Sequence, residues 1–410
     1  MNRLAEHGAL ALGFAAFALL PFGRTSELPI ALAAAFGLYA IARGRIDWRA
    51  PGPRLTLALF LGYWLPQLLS APDAIAPSRT WSEVAGDLRY LPGLLWLQQR
   101  LADARRLASL QTGIAIVLGV WLLDASVQAG TGWSLGGPSS PDRLSGIFGA
   151  DNLKLGAMLA VLSPFLLLAA FRRSRWLGAS GLILLLLIVL LAGTRSAWIT
   201  LAVVLAALAI NAWGCRRALL ASGGVMVLAV ALGSVAHLSS PRFAERIHRS
   251  AAALQGDAVA IDYALSFRLP IWQTATAMIA AHPLNGVGVR GFRVAYPDFA
   301  AADDRWRDFD GRHGALHPHQ WLLEVLSETG LVGLGCWLAA LGCAARAWRN
   351  ATEHARAAAR PAGIALLAML FPLNTHYAFY ASEWGGLLML LLAVWLAALN
   401  RPAASPPAAV

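Results

Sequence analysis

Charged residues are scarce in this sequence. Asp, Glu, Lys and Arg make up 13% of the 410 residues, whereas hydrophobic residues make up 58%, and the mean hydropathy is +0.58. Soluble globular domains average about 25% charged and about 45–50% apolar residues. The composition therefore excludes an ordinary water-soluble enzyme. The chain is better divided into membrane spans of roughly 20 residues than into soluble domains.

Cysteine and lysine are almost missing as well. The three cysteines, Cys215, Cys336 and Cys343, lie in or beside apolar runs without a C-x-x-C pair, so neither a disulfide framework nor a zinc site is indicated. Lys154 is the only lysine, and the net charge of +11 is an excess of arginine. An excess of positive charge of this size is typical of nucleic-acid binding. The positions of the arginines must show whether it has that origin or reflects membrane topology.

The apolar residues are grouped into runs long enough for membrane helices. The first run has no small-residue cleavage site before the next one, so we expect it to remain as a span. The sequence predicts an all-α polytopic membrane protein, packed as a bundle, with about twelve transmembrane helices. The predicted spans cover residues 8–22, 28–42, 54–71, 86–99, 107–129, 153–171, 176–192, 196–213, 218–238, 319–345, 361–380 and 384–399.

The arginines predict the orientation of these spans. With the N-terminus inside, 18 of the 33 Lys and Arg residues lie in inner segments and six in short outer segments, as the positive-inside rule requires. The remaining nine lie in one long outer segment. This distribution explains the basic charge by membrane topology, and we expect no nucleic-acid partner.

The same topology predicts the domain organisation. Spans one to nine occupy residues 1–238, a periplasmic loop domain residues 239–318, spans ten to twelve residues 319–399, and a disordered cytoplasmic tail residues 400–410. Within the loop domain we predict helices over residues 241–254 and 262–281, followed by a turn-rich segment over residues 282–292.

Several short motifs lie at the predicted outer surface. His319-Gln320 is followed by nine residues and then Gly330-Leu-Val-Gly333. A His followed by Asn, Ser or Gln, nine residues and G-x-x-G resembles the signature of the bacterial O-antigen ligase family. Further motifs agree with this resemblance: Gly193-Thr-Arg195, Arg268 in Ser-Phe-Arg-Leu-Pro-Ile-Trp272, Pro283-Leu-Asn-Gly-Val-Gly288, and Gly146-Ile-Phe-Gly149 leading to Asn152 and Lys154.

The chemistry of the motif residues supports a site without reference to the family. Arg195, Arg268 and His319 come from distant parts of the chain, yet the predicted topology puts all three at one membrane surface. Guanidinium groups bind diphosphates through paired hydrogen bonds. An imidazole with a pKa near neutrality can take a proton from an attacking hydroxyl. Together these groups could displace a diphosphate from a sugar.

The resemblance implies a more specific activity. It implies a GT-C-like glycosyltransferase of the inner membrane that moves an O-polysaccharide from undecaprenyl diphosphate to a sugar hydroxyl of the lipid A core, with inversion. It implies no cofactor, no metal and no nucleotide sugar. The family pattern assigns His319, Arg195 and Arg268 to catalysis. The substrate-binding set that we predict is Arg195, Arg268, His317, Lys154, Asn152 and Arg290. Asp151 stands where the family often has Pro, so the roles of Asn152 and Lys154 stay open.

Other functions fit parts of the pattern. An O-antigen polymerase shares the topology but uses a second lipid-linked glycan as acceptor, and a protein-directed oligosaccharyltransferase usually carries a further soluble region. A transporter would place ionisable residues near the midplane of paired broken helices, whereas this chain concentrates them at one surface.

The site residues also have purely structural interpretations. Arg195 could be an interfacial anchor, and Arg268 could pair with Asp262 or Glu245. His317 or His313 could be the functional imidazole. Glu324 and Glu328, which lie inside a span, could take part in function or only partner an arginine.

Overall fold

The apolar runs fold as helices because a helix satisfies its own backbone hydrogen bonds in a medium without water. The computed structural model describes residues 2–139, 143–150, 152–239, 241–374 and 377–400. The helices are α1 (Asn2–Ala18), α2 (Glu27–Ala42), α3 (Pro51–Ser70), α4 (Pro77–Asp87), α5 (Tyr90–Leu101), α6 (Ala104–Thr131), α7 (Leu155–Arg173), α8 (Arg175–Leu191), α9 (Arg195–Ser239), α10 (Pro241–Ala251), α11 (Ala258–Ala264), α12 (Leu269–Ala281), α13 (Phe292–Phe299), α14 (Trp321–Asn350), α15 (Glu353–Met369) and α16 (Ser382–Leu399).

The remaining regular structure is short. Among the described residues, three 3-10 helices cover Gly23–Ser26, Gly146–Phe148 and Ala252–Gln255. Two strands of two residues each, Trp133–Ser134 and Gly137–Pro138, pair antiparallel with Trp133 opposite Pro138. The prediction of an all-helical protein is thus confirmed, apart from this small hairpin.

Six helical segments of the described chain are long and apolar enough to cross a membrane. These are Gly23–Ala42, Ala104–Thr131, Leu155–Arg173, Arg195–Leu238, Trp321–Asn350 and Ser382–Leu399. Arg195–Leu238 has 44 residues, or about 66 Å of helix at 1.5 Å per residue, roughly twice the hydrocarbon thickness. It kinks at Gly214, where φ is 73° and ψ is 167°. The protein is therefore a polytopic membrane protein, while the number of twelve crossings stays a prediction.

Three predicted helices differ from the observed ones. The span expected at residues 361–380 ends at Met369, and the described residues between Met369 and α16 form no helix or strand. The helix expected over residues 262–281 is two helices, because Ser266 and Phe267 have φ values of 61° and 62°, which no α-helix allows. The span expected at residues 86–99 is α5, whose 12 residues cover only about 18 Å.

The bundle centres on α7 and α16, the two spans with the most buried side chains. The neighbouring pairs are α3 with α14, α2 with α5, α7 with α8, and α15 with α16. Segments that we predict to lie on the outer side meet at one end of this bundle, hereafter the outer end. Asn152 binds Pro21, Arg195 binds Ser250, and Gln320 binds Pro372. The candidate site therefore has to be sought there.

Candidate functional site

A break in α14 organises the outer end. At Gly330 the backbone leaves the helical region, with φ 64° and ψ −162°. Residues 283–288 run alongside the break and take up its hydrogen bonds. The N–H groups of Val287 and Gly288 donate to the carbonyl groups of Ser327 (2.8 Å) and Glu328 (3.0 Å).

The second half of the helix is capped in the same way. The N–H groups of Leu331 and Val332 donate to the carbonyl groups of Pro283 (2.8 Å) and Leu284 (3.1 Å). Unpaired backbone groups are very costly inside a membrane protein, so the turn-rich segment and the helix break depend on each other. These four hydrogen bonds explain why the Pro283–Gly288 motif and the Gly330-x-x-Gly333 motif occur together in this chain.

Glycine is required where the two backbones touch. A Cβ atom on Gly330 would overlap the carbonyl group of Leu284, and one on Gly286 would overlap the backbone of Glu328. Both glycines also have positive φ, a conformation that side chains disfavour. Gly330 of the G-x-x-G motif and Gly286 of the turn-rich segment therefore have a structural reason.

His319 lies just before α14 in a strained conformation. Its φ is 54°, which is rare for a residue with a side chain. Gln320 is the helix N-cap: its Oε1 accepts from the N–H of Leu323 (2.6 Å), and its Nε2 donates to the carbonyl of Pro372 (2.6 Å). The His319 ring lies 3.9 Å from the His317 ring between centroids. Gln320 thus fixes the helix start, and the two imidazoles stay together beside it.

Arg195 begins α9 and reaches towards the loop domain. Its guanidinium donates to the hydroxyl groups of Ser250 (3.2 Å) and Ser266 (2.5 Å). Because Ser266 lies two residues before Arg268, this contact brings Arg195 and Arg268 to the same place. Their placement at the outer membrane surface stays a prediction.

Arg268 lies near two other cations. It is the residue before α12, and burial, together with the charges of Arg195 and Arg143, lowers its pKa to about 10. Arg195 in turn is repelled by the positive charges of Arg249, Arg143 and Arg246. We call Arg143, Arg195, Arg246, Arg249 and Arg268 the arginine cluster. Such a group of half-buried like charges is suited to an anion with more than one charge.

Three members of this cluster were missed in the sequence. Arg246 and Arg249 lie on α10 three residues apart, a spacing that puts them on one helix face. A Cβ atom on Gly193 would overlap the guanidinium of Arg246, so the glycine of the Gly193-Thr-Arg195 motif leaves room for that side chain. The positions of Arg246 and Arg249 on a predicted helix were a usable signal, whereas nothing in the sequence singled out Arg143.

A hydrogen bond connects the arginine cluster to His319. Trp272 lies one turn after Arg268 on α12, and its Nε1 donates to the carbonyl of Pro318 at 3.0 Å. Pro318 directly precedes His319. The Ser266 contact therefore joins Arg195 to the segment of Arg268. The hydrogen bond between Trp272 and Pro318 joins that segment to His319.

Asn152 and Lys154 make contacts within the protein. The Asn152 side chain donates to the carbonyl of Pro21 at 3.2 Å. Lys154 forms an ion pair with Glu383 at the start of α16, and its ammonium lies 5.7 Å from the Tyr377 ring centroid. These contacts hold the start of α7 to α1 and α16. Asp151 lies outside the described residues.

Arg290 and the two buried glutamates form a separate group. Arg290 has a positive φ of 62°, and its charge acts on Glu83 and Glu328. Glu328 accepts from the N–H of Phe292 and Glu324 from the N–H of Tyr380, both at 3.3 Å. Both carboxylates are almost fully buried, and they tie two outer segments to α14.

Three residues with possible alternative roles, Asp262, Glu245 and His313, make contacts of their own. Asp262 accepts from the N–H of Leu269 at 2.9 Å, and Glu245 accepts from the Tyr263 hydroxyl at 3.4 Å. His313 contacts Asp310 and Arg79. Within the described ranges, no three His, Cys, Asp or Glu side chains are grouped closely enough to hold a metal ion.

The fold and the site define a polytopic membrane protein with a cationic cluster at one end of its bundle. Residues 180–338 match the family described as O-antigen ligase, and this match confirms the resemblance found in the motifs. The match is consistent with the superfamily of O-antigen ligases and polymerases, whose members are membrane glycosyltransferase-like enzymes. No curated protein matches the chain at a significant level.

Proposed function

We propose that this protein is an O-antigen ligase that transfers O-polysaccharide from undecaprenyl diphosphate to a sugar hydroxyl of the lipid A core. The observation that carries the proposal is the connection between the arginine cluster and His319. Five arginines offer a site for a diphosphate, and His319 directly follows Pro318, whose carbonyl is held by Trp272 one turn after Arg268.

The donor would bind with its diphosphate among the arginines. Each guanidinium offers fixed donors that suit phosphate oxygens, and partial burial strengthens their interaction with an anion. Arg246 and Arg249 approach from α10, whereas Arg195 and Arg268 lie at the starts of α9 and α12. The apolar polyprenyl chain would extend into the surrounding membrane lipid.

The reaction would be a single displacement at the anomeric carbon. The acceptor oxygen forms the new bond to this carbon, while the bond from the carbon to the diphosphate oxygen breaks and its electron pair leaves with the diphosphate. His319 takes the proton of the acceptor hydroxyl. Arg195 and Arg268 stabilise the charge that builds up on the leaving diphosphate. A single displacement inverts the anomeric configuration.

His317, Asn152 and Lys154 would support these groups. The His317 ring against His319 limits how the second imidazole can turn. Asn152 and Lys154 hold the start of α7 in place, so we expect substitutions there to act through the shape of the site.

The proposed location is the periplasmic face of a bacterial inner membrane. With twelve crossings, both termini face the cytoplasm and residues 239–318 face outward, as the arginine distribution favours. The 44 residues of Arg195–Leu238 are long enough to supply two of these crossings.

A reconstituted transfer assay tests the function. Purified protein receives lipid-linked polysaccharide together with lipid A core, or lipid-linked polysaccharide alone, in the presence of a chelator. We expect a product of donor and core only when core is present, and we expect chelator to leave the yield unchanged. Longer lipid-linked chains without core would instead identify a polymerase.

Variants of the same protein test the residues. His319→Ala and Arg195→Ala should abolish transfer, while Arg307→Ala, which removes an exposed arginine of the same loop domain, should not. Undiminished transfer by the first two variants at normal expression would refute the site.

A further inference from the structure

A second group of charged side chains lies at the outer end, on the side of α4. It consists of Arg79, Glu83, Arg290, Arg293 and His313, and we call it the α4 basin. Arg79 and Glu83 are four residues apart on α4 and so lie on one face of that helix. The other three come from the loop domain.

Backbone and side-chain contacts bring these elements together. The hydroxyl of Thr80, next to Arg79, donates to the carbonyl of Val289, next to Arg290, at 2.8 Å. Arg79 Nη2 lies 3.3 Å from His313 Nε2. Together these contacts hold α4 against both parts of the loop domain that supply the basin.

The basin differs from the arginine cluster in containing a carboxylate. Burial raises the pKa of Glu83, against the opposing charges of Arg290 and Arg89. Burial and the charges of Arg290 and Arg79 lower the pKa of Arg293. The basin thus combines the half-buried Arg290 and Arg293 and the exposed Arg79 with a carboxyl group that is less readily ionised than usual.

This combination suits a phosphorylated sugar. Arginine donors bind phosphate oxygens, while a carboxyl group and an imidazole bind sugar hydroxyl groups. A diphosphate alone would need cations only, as in the arginine cluster.

One short segment relates the basin to the predicted base. The N–H of Gly314, which follows His313, donates to the carbonyl of Arg293 at 3.0 Å, and the same segment ends at His319. Six residue steps span at most about 22 Å when fully extended. A ligand in the basin is therefore within the reach of one oligosaccharide from the predicted reacting centre.

We propose that the α4 basin binds phosphate groups on the sugars of the acceptor glycolipid, while another sugar of the same acceptor presents its hydroxyl to His319. This inference rests on the proposed ligase function. It assigns Arg290 to the acceptor and adds Arg79, Glu83, Arg293 and His313 to the acceptor-binding residues.

The test compares phosphorylated lipid A core with the same core after enzymatic removal of its phosphates. With wild-type protein, removal of the phosphates should raise the acceptor KM about tenfold to hundredfold, because each charge-assisted hydrogen bond contributes more than a neutral one. Arg293→Ala should raise the KM for phosphorylated core to a similar extent. This variant should no longer prefer phosphorylated core to dephosphorylated core. The donor KM should stay the same.

Two further variants keep the test independent of misfolding. Arg293→Lys retains a positive charge and should recover most of the preference, whereas Arg307→Ala should behave as wild type. If Arg293→Ala retains the wild-type ratio of the two acceptor KM values, or if wild-type protein shows no preference, the inference is wrong although the ligase function stands. Transfer to lipid-linked glycan in place of core would overturn the ligase function itself.

Discussion

Replacing Gly330 by alanine should destabilise the protein strongly. Gly330 has a φ of 64°, and a non-glycine residue in such a region costs about 1–3 kcal/mol. The new Cβ would also overlap the carbonyl of Leu284, which forces residues 283–288 away from the helix break.

The displaced segment makes four backbone hydrogen bonds across the break. Each contributes about 1 kcal/mol net. If the alanine weakens half of them, the total loss is about 3–5 kcal/mol, including the backbone strain. Because the break joins residues 283–288 of the loop domain to the helix that His319 precedes, transfer activity should fall as well.

Thermal unfolding in detergent, followed by the transfer assay, measures both effects. Gly335→Ala is the matched control, since Gly335 lies five residues further along α14 and a Cβ atom there has no neighbour within 4 Å. We expect that variant to be as stable as wild type or slightly more stable, because alanine favours a helix. Equal stability of the two variants would refute the structural role of the break.

Three smaller changes test the arginine cluster and its connection to the predicted base. Gly193→Ala should displace the guanidinium of Arg246 and weaken donor binding about as much as Arg246→Ala; a double variant much weaker than either would show that the two act separately. Trp272→Phe removes one hydrogen bond and should lower kcat about tenfold with little change in KM, because a small misplacement of a reacting group slows chemistry; an unchanged kcat in the same assay would contradict this. The pKa of about 10 for Arg268 predicts that donor binding weakens as the pH rises through 10, and Arg143→Gln, by removing a neighbouring positive charge, should move this loss to higher pH. A titration of donor binding that moves to lower pH would have the wrong sign.

Much of the helical architecture could be predicted from composition. Apolar runs flanked by arginines define membrane helices because lipid leaves the backbone no other partners. The boundaries that failed lie where the backbone departs from helix for tertiary reasons. At Ser266 and Phe267 the positive φ values bring the Ser266 hydroxyl to Arg195, a contact between residues 71 positions apart.

The candidate site was predictable only in part. Arg195, Arg268 and His319 stood in recognisable motifs, and the predicted topology puts them on one side. Arg246 was not predicted, although its position with Arg249 on a predicted helix was a usable signal, and the space that Gly193 leaves for its side chain is visible only in the fold. Motif glycines such as Gly330 look functional in a sequence, while their structural reason is the close approach of a second backbone segment.

Labelling of single cysteines tests most directly whether the three motif residues share one donor site. In protein whose native cysteines are replaced by serine, we would introduce cysteine at Ser250 beside Arg195, at Ser266 beside Arg268, and at Leu316 near His319. A membrane-impermeant thiol reagent applied from the periplasmic side should label all three positions, and lipid-linked donor should protect them. Labelling of any one of them only from the cytoplasmic side, or no protection by donor, would contradict a shared outer site.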